Sequence, residues 1–232
     1  MARTALDVGG TSGIGAATAL RLAADCATVL AAGLNTAAAS PELQQAVELH
    51  ELDLRTPGAL EELITSRQRL DVLVNAAGII RRGEEHRPEV FAEVVEINLT
   101  GAMRAAAAAH ELLAESKGCI VNVASMLSYF GGPLVPGYSA STGRDRAAHQ
   151  VARGRVGRRG DPGQRGCTRL DRHRPDRGCR PTRSPPNGSS PVLRWPWGRA
   201  AEVAGAIAFL TGPDATFITG AVLSVDGGYQ SN

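Results

Sequence analysis

The chain has 232 residues, of which 43% are hydrophobic and 21% charged, and its net charge is +2. This length and globular composition allow one full hydrophobic core. The absence of any apolar run of 18 residues excludes a transmembrane helix, and the N-terminus lacks the charged and apolar regions of a signal peptide. We therefore expect a cytoplasmic protein with no membrane partner.

The first 142 residues alternate between strand and helix patterns. The predicted strands lie at 4–10, 27–33, 47–54, 70–78 and 118–125, and the predicted helices at 14–25, 58–68 and 89–116, with a further helix starting near Tyr138. A helix at 200–214 and a strand at 220–228 follow. This alternation is typical of the α/β class, so we predict a Rossmann-type doubly wound parallel sheet in a single domain, 1–232.

Residues 143–199 break this pattern. They contain 15 Arg and 4 Asp, a balance of +11 in a chain of net charge +2, so the other 175 residues sum to −9. They also hold 9 Gly and 7 Pro among 57 positions, and no Ile, Phe, Tyr, Glu or Lys. Since no helical or strand period survives, we predict an aberrant, disrupted segment inside the domain. Clustered arginine is also typical of nucleic-acid binders, which adds a second interpretation.

The cysteines and histidines show no metal-ligand spacing, and no metal site is predicted. We interpret the cysteines as buried or incidental thiols of a reducing compartment, and the histidines as surface or structural. The residues concerned are Cys26, Cys119, Cys167, Cys179, His50, His86 and His110.

A glycine-rich turn follows the first predicted strand. In "GGTSGIG", Gly9, Gly13 and Gly15 have the spacing G-x-x-x-G-x-G. Glycine permits a tight turn and lets backbone N–H groups approach a pyrophosphate at the positive end of a helix. A purely structural strand-to-helix turn explains the same glycines, so the motif alone leaves both interpretations open.

From this turn onward the chain resembles the short-chain dehydrogenase/reductase family. The glycine spacing is followed at family-like distances by "NAAG" at 75–78, "INLTG" at 97–101, "NVAS" at 122–125, "YSAS" at 138–141 and "SVDGG" at 224–228. The resemblance implies an oxidoreductase that uses a nicotinamide cofactor on a small-molecule substrate. It also implies a homo-oligomer, in this family a tetramer.

The resemblance implies a set of site residues. Tyr138 would act as general acid/base, Ser125 would polarise the substrate oxygen, and Asn98 would support a proton relay. The implied cofactor-binding residues are Gly9, Thr11, Ser12, Gly13, Ile14, Gly15, Asp53, Leu54, Asn75, Ala76, Ala77, Gly78 and Tyr138. Asp53 matches the acid that contacts adenine in the family.

Three residues depart from the family pattern. Hydride transfer at a carbinol carbon requires a proton to move at the oxygen, and a phenol with a pKa of about 10 needs a nearby positive charge for this. In the family a lysine four residues after the tyrosine, on the same helix face, supplies that charge; here the residue is Thr142. Asp7 and Val8 replace an apolar residue and a threonine, and Asp7 in a central strand is costly unless it is hydrogen-bonded or protonated.

The arginine segment has a genetic explanation. Residues 142–174, back-translated with GC-leaning codons and read one base later, give a family-like helix, strand and substrate loop. A displaced frame would also mean that a lysine codon had stood where Thr142 is read. Residues 183–195 read two bases later are again family-like, and the original frame resumes near Gly198. We hypothesise a frameshift here, from small insertions or deletions. The arginine block is therefore not expected to bind nucleic acid.

Cofactor and substrate preferences rest on few residues. After the second strand, Leu34 and Asn35 offer neither a carboxylate for the ribose 2′-hydroxyl of NAD nor an arginine for the phosphate of NADP. Ser12 stands where NADP users of the family often have a basic residue, so we predict NAD, with NADP as the alternative. Arg81 and Arg82 in "AGIIRR" resemble sugar-acid dehydrogenases of the family, where a guanidinium meets a carboxylate. A solvated basic pair beside Glu84 and Glu85 explains the same residues.

The sequence thus predicts an NAD(P)-dependent oxidoreductase that interconverts a secondary alcohol and a ketone. A sugar acid and a 3-oxoacyl compound are the candidate substrates. Because the lysine is absent, the alternative is an impaired or inactive protein that binds a dinucleotide without turnover.

Overall fold

Seven parallel strands form one sheet in the computed structural model, which describes residues 3–25, 27–143, 168–172 and 198–231. The strands are β1 (Arg3–Val8), β2 (Ala27–Gly33), β3 (Glu48–Glu51), β4 (Val72–Asn75), β5 (Cys119–Ser125), β6 (Thr168–Arg172) and β7 (Val222–Val225). Their order across the sheet is β3-β2-β1-β4-β5-β6-β7. The predicted doubly wound α/β fold is confirmed. β2 and β3 lie on one side of β1 and β4 to β7 lie on the other, so the strand order reverses between β1 and β4.

Helices cover both faces of the sheet. They are α1 (Gly13–Ala24), α2 (Pro41–Ala46), α3 (Ala59–Thr65), α4 (Pro88–Val95), α5 (Gly101–Ser116), α6 (Leu127–Phe130), α7 (described over 136–143) and α8 (Ala200–Thr211). One face packs Ala5 of β1 against residues of α1 and α8, and the other packs Leu6 against residues of α3 and α5. Strands buried on both faces carry nearly continuous apolar runs, and these runs allowed the strands to be predicted from the sequence.

The strand β6 lies inside the segment for which no regular structure was predicted. Its backbone pairs with β5 on one side, with Val121 opposite Thr168, and with β7 on the other, with Leu170 opposite Leu223. The sequence predicted no strand at Thr168–Arg172, because no strand period survives in this segment. Hydrogen bonding to two neighbouring strands overrides local composition there. Most of the remaining segment, including the proposed frameshift, lies outside the described residues.

The long predicted helix at 89–116 contains a turn that periodicity did not reveal. It begins at Pro88 and runs as α4, passes through a π-helical turn at Glu96–Thr100, and continues as α5 to Ser116. π-helical turns inside α-helices are frequent at functional sites. This one carries Asn98, whose side chain reaches the segment that follows β4.

Cys119 is buried in β5, while Cys26, Cys167 and Cys179 lie outside the described residues. Over the described ranges, no helix has both the length and the apolar character needed to cross a membrane.

Candidate active site

A cleft of about 280 Å³ opens at the carboxyl ends of the strands, around the reversal between β1 and β4. In open parallel sheets this crevice is where ligands bind. The residues that line it are Val8, Gly9, Thr11, Ser12, Gly13, Ile14, Gly15, Ala32, Gly33, Leu34, Asn35, Leu52, Asp53, Leu54, Arg55, Ala76, Ala77, Gly78, Ile79, Arg81, Glu93 and Ile97.

The glycine turn forms one wall of the cleft because it packs without side chains. Gly9 has φ of 98°, and a Cβ there would overlap the backbone N of Ala77. A Cβ at Gly15 would overlap the carbonyl oxygen of Gly9. At Gly13, in contrast, a Cβ would meet no atom within 4 Å, so the start of α1 is open toward the cleft. The turn therefore needs glycine for packing and also presents a free helix N-terminus.

Eleven of the thirteen predicted cofactor-binding residues line this cleft, and Asn75 and Tyr138 do not. Asn75 is 5% exposed at the end of β4, where its Nδ2 donates a hydrogen bond of 2.6 Å to Oδ1 of Asn122 on β5. Its own Oδ1 is buried without a hydrogen-bond partner. The structure thus places Asn75 at the end of β4, opposite Asn122 of β5. Tyr138 lies on α7.

Four charged side chains line one side of the cleft. Arg55 holds Asp53 through two nitrogens, with Nη2 2.7 Å from Oδ2, and this hydrogen bonding lowers the pKa of the Asp53 carboxyl. Arg55 also lies 3.7 Å from Glu93, which Arg81 approaches at 3.9 Å. Two cations and two anions therefore balance along this wall. Arg81 and Arg82 are both exposed.

The three predicted catalytic residues lie on separate elements. Ser125 ends β5, is 5% exposed, and its Oγ accepts a hydrogen bond from the backbone N of Leu127 at 3.2 Å. Asn98 accepts one from the backbone N of Ile79 at 2.8 Å and donates one to the carbonyl oxygen of Ile79 at 2.9 Å. Its Nδ2 also lies 3.4 Å from Oγ of Ser141 on the helix of Tyr138. Asn98 thus connects the post-β4 segment to that helix.

The side chain of Thr142 forms a hydrogen bond within its own helix, α7. Its Oγ1 donates a hydrogen bond of 2.8 Å to the carbonyl oxygen of Tyr138, and the residue is 8% exposed. Through this i to i−4 bond, the hydroxyl finds its hydrogen-bond acceptor within the same helix. A neutral hydroxyl, hydrogen-bonded within its own helix, therefore stands at the position where the family resemblance implies a lysine.

Glu85 is a residue of this site that the sequence reasoning missed. It was grouped with the solvated charges near Arg81, yet it is only 1% exposed. Its Oε1 accepts a hydrogen bond from the backbone N of Arg81 at 2.8 Å, and its Oε2 accepts one from the backbone N of Tyr138 at 2.7 Å. One carboxyl group thus joins the segment after β4 to the first turn of α7. No sequence signal separates it from exposed Glu84.

Replacing Glu85 by alanine is expected to lower the free energy of unfolding by about 2–4 kcal/mol, because two partly buried backbone N–H groups lose their acceptor. Urea denaturation followed by circular dichroism measures this loss. The matched control is Glu84→Ala, whose parent side chain is 60% exposed and forms a 3.3 Å ion pair with Arg87. Equal effects of the two substitutions would contradict the bridging role of Glu85.

Comparisons with known proteins agree with this geometry. The family model described as "short chain dehydrogenase" matches residues 3–148, and the one described as "Enoyl-(Acyl carrier protein) reductase" matches residues 185–230. The chain is 31% identical to a 2-dehydro-3-deoxy-D-gluconate 5-dehydrogenase of Bacillus subtilis, over 99% of this chain and 95% of that protein. It is 32% identical to an acetoacetyl-CoA reductase of Rhizobium meliloti, over 98% of each.

Solved structures show the same relationship. A short chain dehydrogenase/reductase family protein superposes with a TM-score of 0.82 at 28% identity, over 98% of this chain and 97% of that one. A structure described as an NAD(P)-dependent gluconate 5-dehydrogenase from Beutenbergia cavernae, with bound NADP, gives a TM-score of 0.80 at 27% identity, over 99% and 97%. With sequence, fold and cleft in agreement, this chain belongs to the short-chain dehydrogenase/reductase family of oxidoreductases.

Proposed function

We propose that the cleft binds a nicotinamide dinucleotide, and that the reaction of this site interconverts a secondary alcohol and a ketone. The observation that carries the proposal is the open N-terminus of α1 at the sheet's reversal point. The first turn of α1 carries no acidic side chain. The space beside Gly13, where a Cβ would meet no atom within 4 Å, leaves room for a pyrophosphate. These features fit the group that the family uses.

We assign each predicted catalytic residue the role that the family resemblance implies. When bound, a nicotinamide cofactor would supply hydride transfer at the carbinol or carbonyl carbon of the substrate. Tyr138 would hold or release the proton at the substrate oxygen, and Ser125 would donate a hydrogen bond to that oxygen. Asn98 would support the proton relay from its position between Ile79 and Ser141.

We also propose that the chain has little or no activity, because Thr142 provides no positive charge beside Tyr138. The proposed frameshift accounts for this residue and for the arginine segment together. Sequencing the coding DNA across codons 138–200 tests that explanation. A lysine codon four after Tyr138 would support it, whereas the printed frame would make the segment a genuine part of the chain. The two family matches described above are separated by residues 149–184.

Cofactor binding can be tested apart from turnover by replacing Ser12, the N-cap of α1, with aspartate. Aspartate suits a helix N-cap, but its charge opposes a pyrophosphate at the same place, so we expect NADH to bind at least about tenfold more weakly with no loss of stability. NADH fluorescence titration and thermal unfolding measure the two effects. The control is Ser40→Asp at the N-cap of α2, where Ser40 accepts a hydrogen bond from Leu43. Equal weakening by both would contradict the proposed binding site.

For the substrate, we propose a ketone or alcohol that carries a carboxylate, with a 3-oxoacyl compound as the second candidate. Arg81 supports the first choice, because it lines the cleft and its partner Glu93 is 3.9 Å away, a distance at which a substrate carboxylate can compete. A panel of ketones offered with NADH distinguishes the two. Reduction confined to sugar acids supports the first, and reduction confined to 3-oxoacyl thioesters supports the second.

Two further proposals concern assembly and the alternative function. We propose a homo-oligomer, supported by the exposed apolar side chains Phe91 and Met103 on α4 and α5, and light scattering tests it. A chain that binds NADH but reduces no ketone would support the alternative of a dinucleotide-binding protein without catalysis.

A further inference from the structure

The turn after β2 holds the carboxylate of Glu51 from β3. The backbone N of Asn35 donates to Oε1 at 2.8 Å, and the backbone N of Thr36 donates to Oε2 at 2.8 Å. The Thr36 hydroxyl donates a third bond of 2.7 Å to Oε2. Asn35 has φ of 58°, a left-handed conformation that turns successive N–H groups toward one anion.

This position matters because residues at the end of the second strand face the ribose of the adenosine half in doubly wound folds. Leu34 and Asn35 line the cleft there. The sequence from Leu34 to Ser40 contains no lysine or arginine that would attract a phosphate. The sequence offers no carboxylate directly after β2, but Glu51 of the neighbouring strand β3 places one at this turn.

Among the described residues, Glu51 forms no ion pair. Along the cleft wall, Asp53 and Glu93 are matched by Arg55 and Arg81. Glu51 adds one negative charge beside this neutral set. Hydrogen bonds from Thr36 and Asn35 lower the pKa of its carboxyl, so Glu51 is ionised at neutral pH.

We infer that Glu51, through its hydrogen bonds to Asn35 and Thr36, makes this site select NAD(H) over NADP(H), because its carboxylate opposes a 2′-phosphate and occupies the N–H groups that would receive one. This inference rests on the proposed function, since it requires a nicotinamide dinucleotide in the cleft. It assigns selectivity to a β3 residue that acts across the sheet edge on the β2 turn.

Titration of the full chain with NADH and with NADPH, followed by cofactor fluorescence, tests this without turnover. We expect NADH to bind about tenfold more tightly than NADPH, and Glu51→Gln to reduce that ratio several-fold by strengthening NADPH binding. The matched control is Glu48→Gln on the same strand, whose parent carboxylate pairs with Arg67 at 3.3 Å. The wild-type ratio should also shrink as salt is raised.

Each result is decisive. NADH binding without preference over NADPH would overturn the role of Glu51 and leave the proposed function intact. An equal change from Glu48→Gln would overturn it too, because net charge alone would then explain the effect. If neither nucleotide binds, the proposed function fails and the inference fails with it.

Discussion

Replacing Thr142 by lysine is expected to raise kcat/KM for ketone reduction by about 10²-fold, the usual scale of general acid–base catalysis. The lysine would stand four residues after Tyr138 on the same helix face, where its ammonium stabilises the tyrosinate. In the parent chain, the Thr142 hydroxyl is instead bonded to the carbonyl oxygen of Tyr138. Steady-state assays with NADH and a ketone panel measure the gain.

The control for this substitution is Thr142→Met, which adds similar length without charge. Methionine should give no gain, since bulk alone does not change the charge near Tyr138. Parent turnover already within the ordinary range of about 1–10³ s⁻¹ would contradict the prediction. So would an equal gain from methionine, which would point to packing rather than to electrostatics.

The second large effect is expected at Asp7, in the middle of the sheet. Asp7 is 0% exposed, both of its carboxyl oxygens lack a hydrogen-bond partner, and desolvation raises its pKa well above the ordinary value. The sequence analysis allowed either a hydrogen bond or protonation to reduce the cost of burying Asp7. Because the structure provides no hydrogen bond among the described residues, protonation remains. Asp7→Val is expected to raise the free energy of unfolding by about 1–3 kcal/mol.

The gain from Asp7→Val should depend on pH. Because the folded-state pKa of Asp7 is raised, the folded chain holds this proton when the unfolded chain has released it. The free energy of unfolding therefore falls as pH rises from the unfolded pKa toward the folded one. The difference between variant and parent should accordingly be larger at pH 8 than at pH 5 in urea denaturation.

Two controls separate charge from packing at this position. Asp7→Asn should remove the pH-dependent part of the difference while leaving a buried, unpartnered amide. Asp25→Asn, at a side chain 47% exposed that pairs with Arg21, should change stability little. A valine variant no more stable than the parent at pH 8 would contradict the unpartnered burial of Asp7.

Periodicity was sufficient for most of the fold because the sheet is buried on both faces. Strand β4 is a nearly continuous apolar run, and helices such as α3 carry Leu60, Leu63 and Ile64 on one face. The π-helical turn at Glu96–Thr100 could not be predicted in this way, because one extra residue in a turn leaves the apolar pattern almost unchanged. β6 could not either, since its pairing partners β5 and β7 are distant in sequence.

The candidate site likewise combines residues that the sequence predicted with residues that only the structure revealed. The family resemblance implied a cofactor role for the glycine turn, Asp53 and the segment at 76–78, and the structure brings them to one cleft because parallel strands have their carboxyl ends at one edge of the sheet. The sequence could not distinguish buried Glu85 from exposed Glu84, nor show that Glu51 reaches the turn at Asn35. Those properties depend on which distant backbone N–H groups surround a carboxyl group. The sequence by itself therefore determined the family, the sheet and the missing lysine, whereas only the tertiary structure decided which carboxyl groups are buried, bonded or left without a partner.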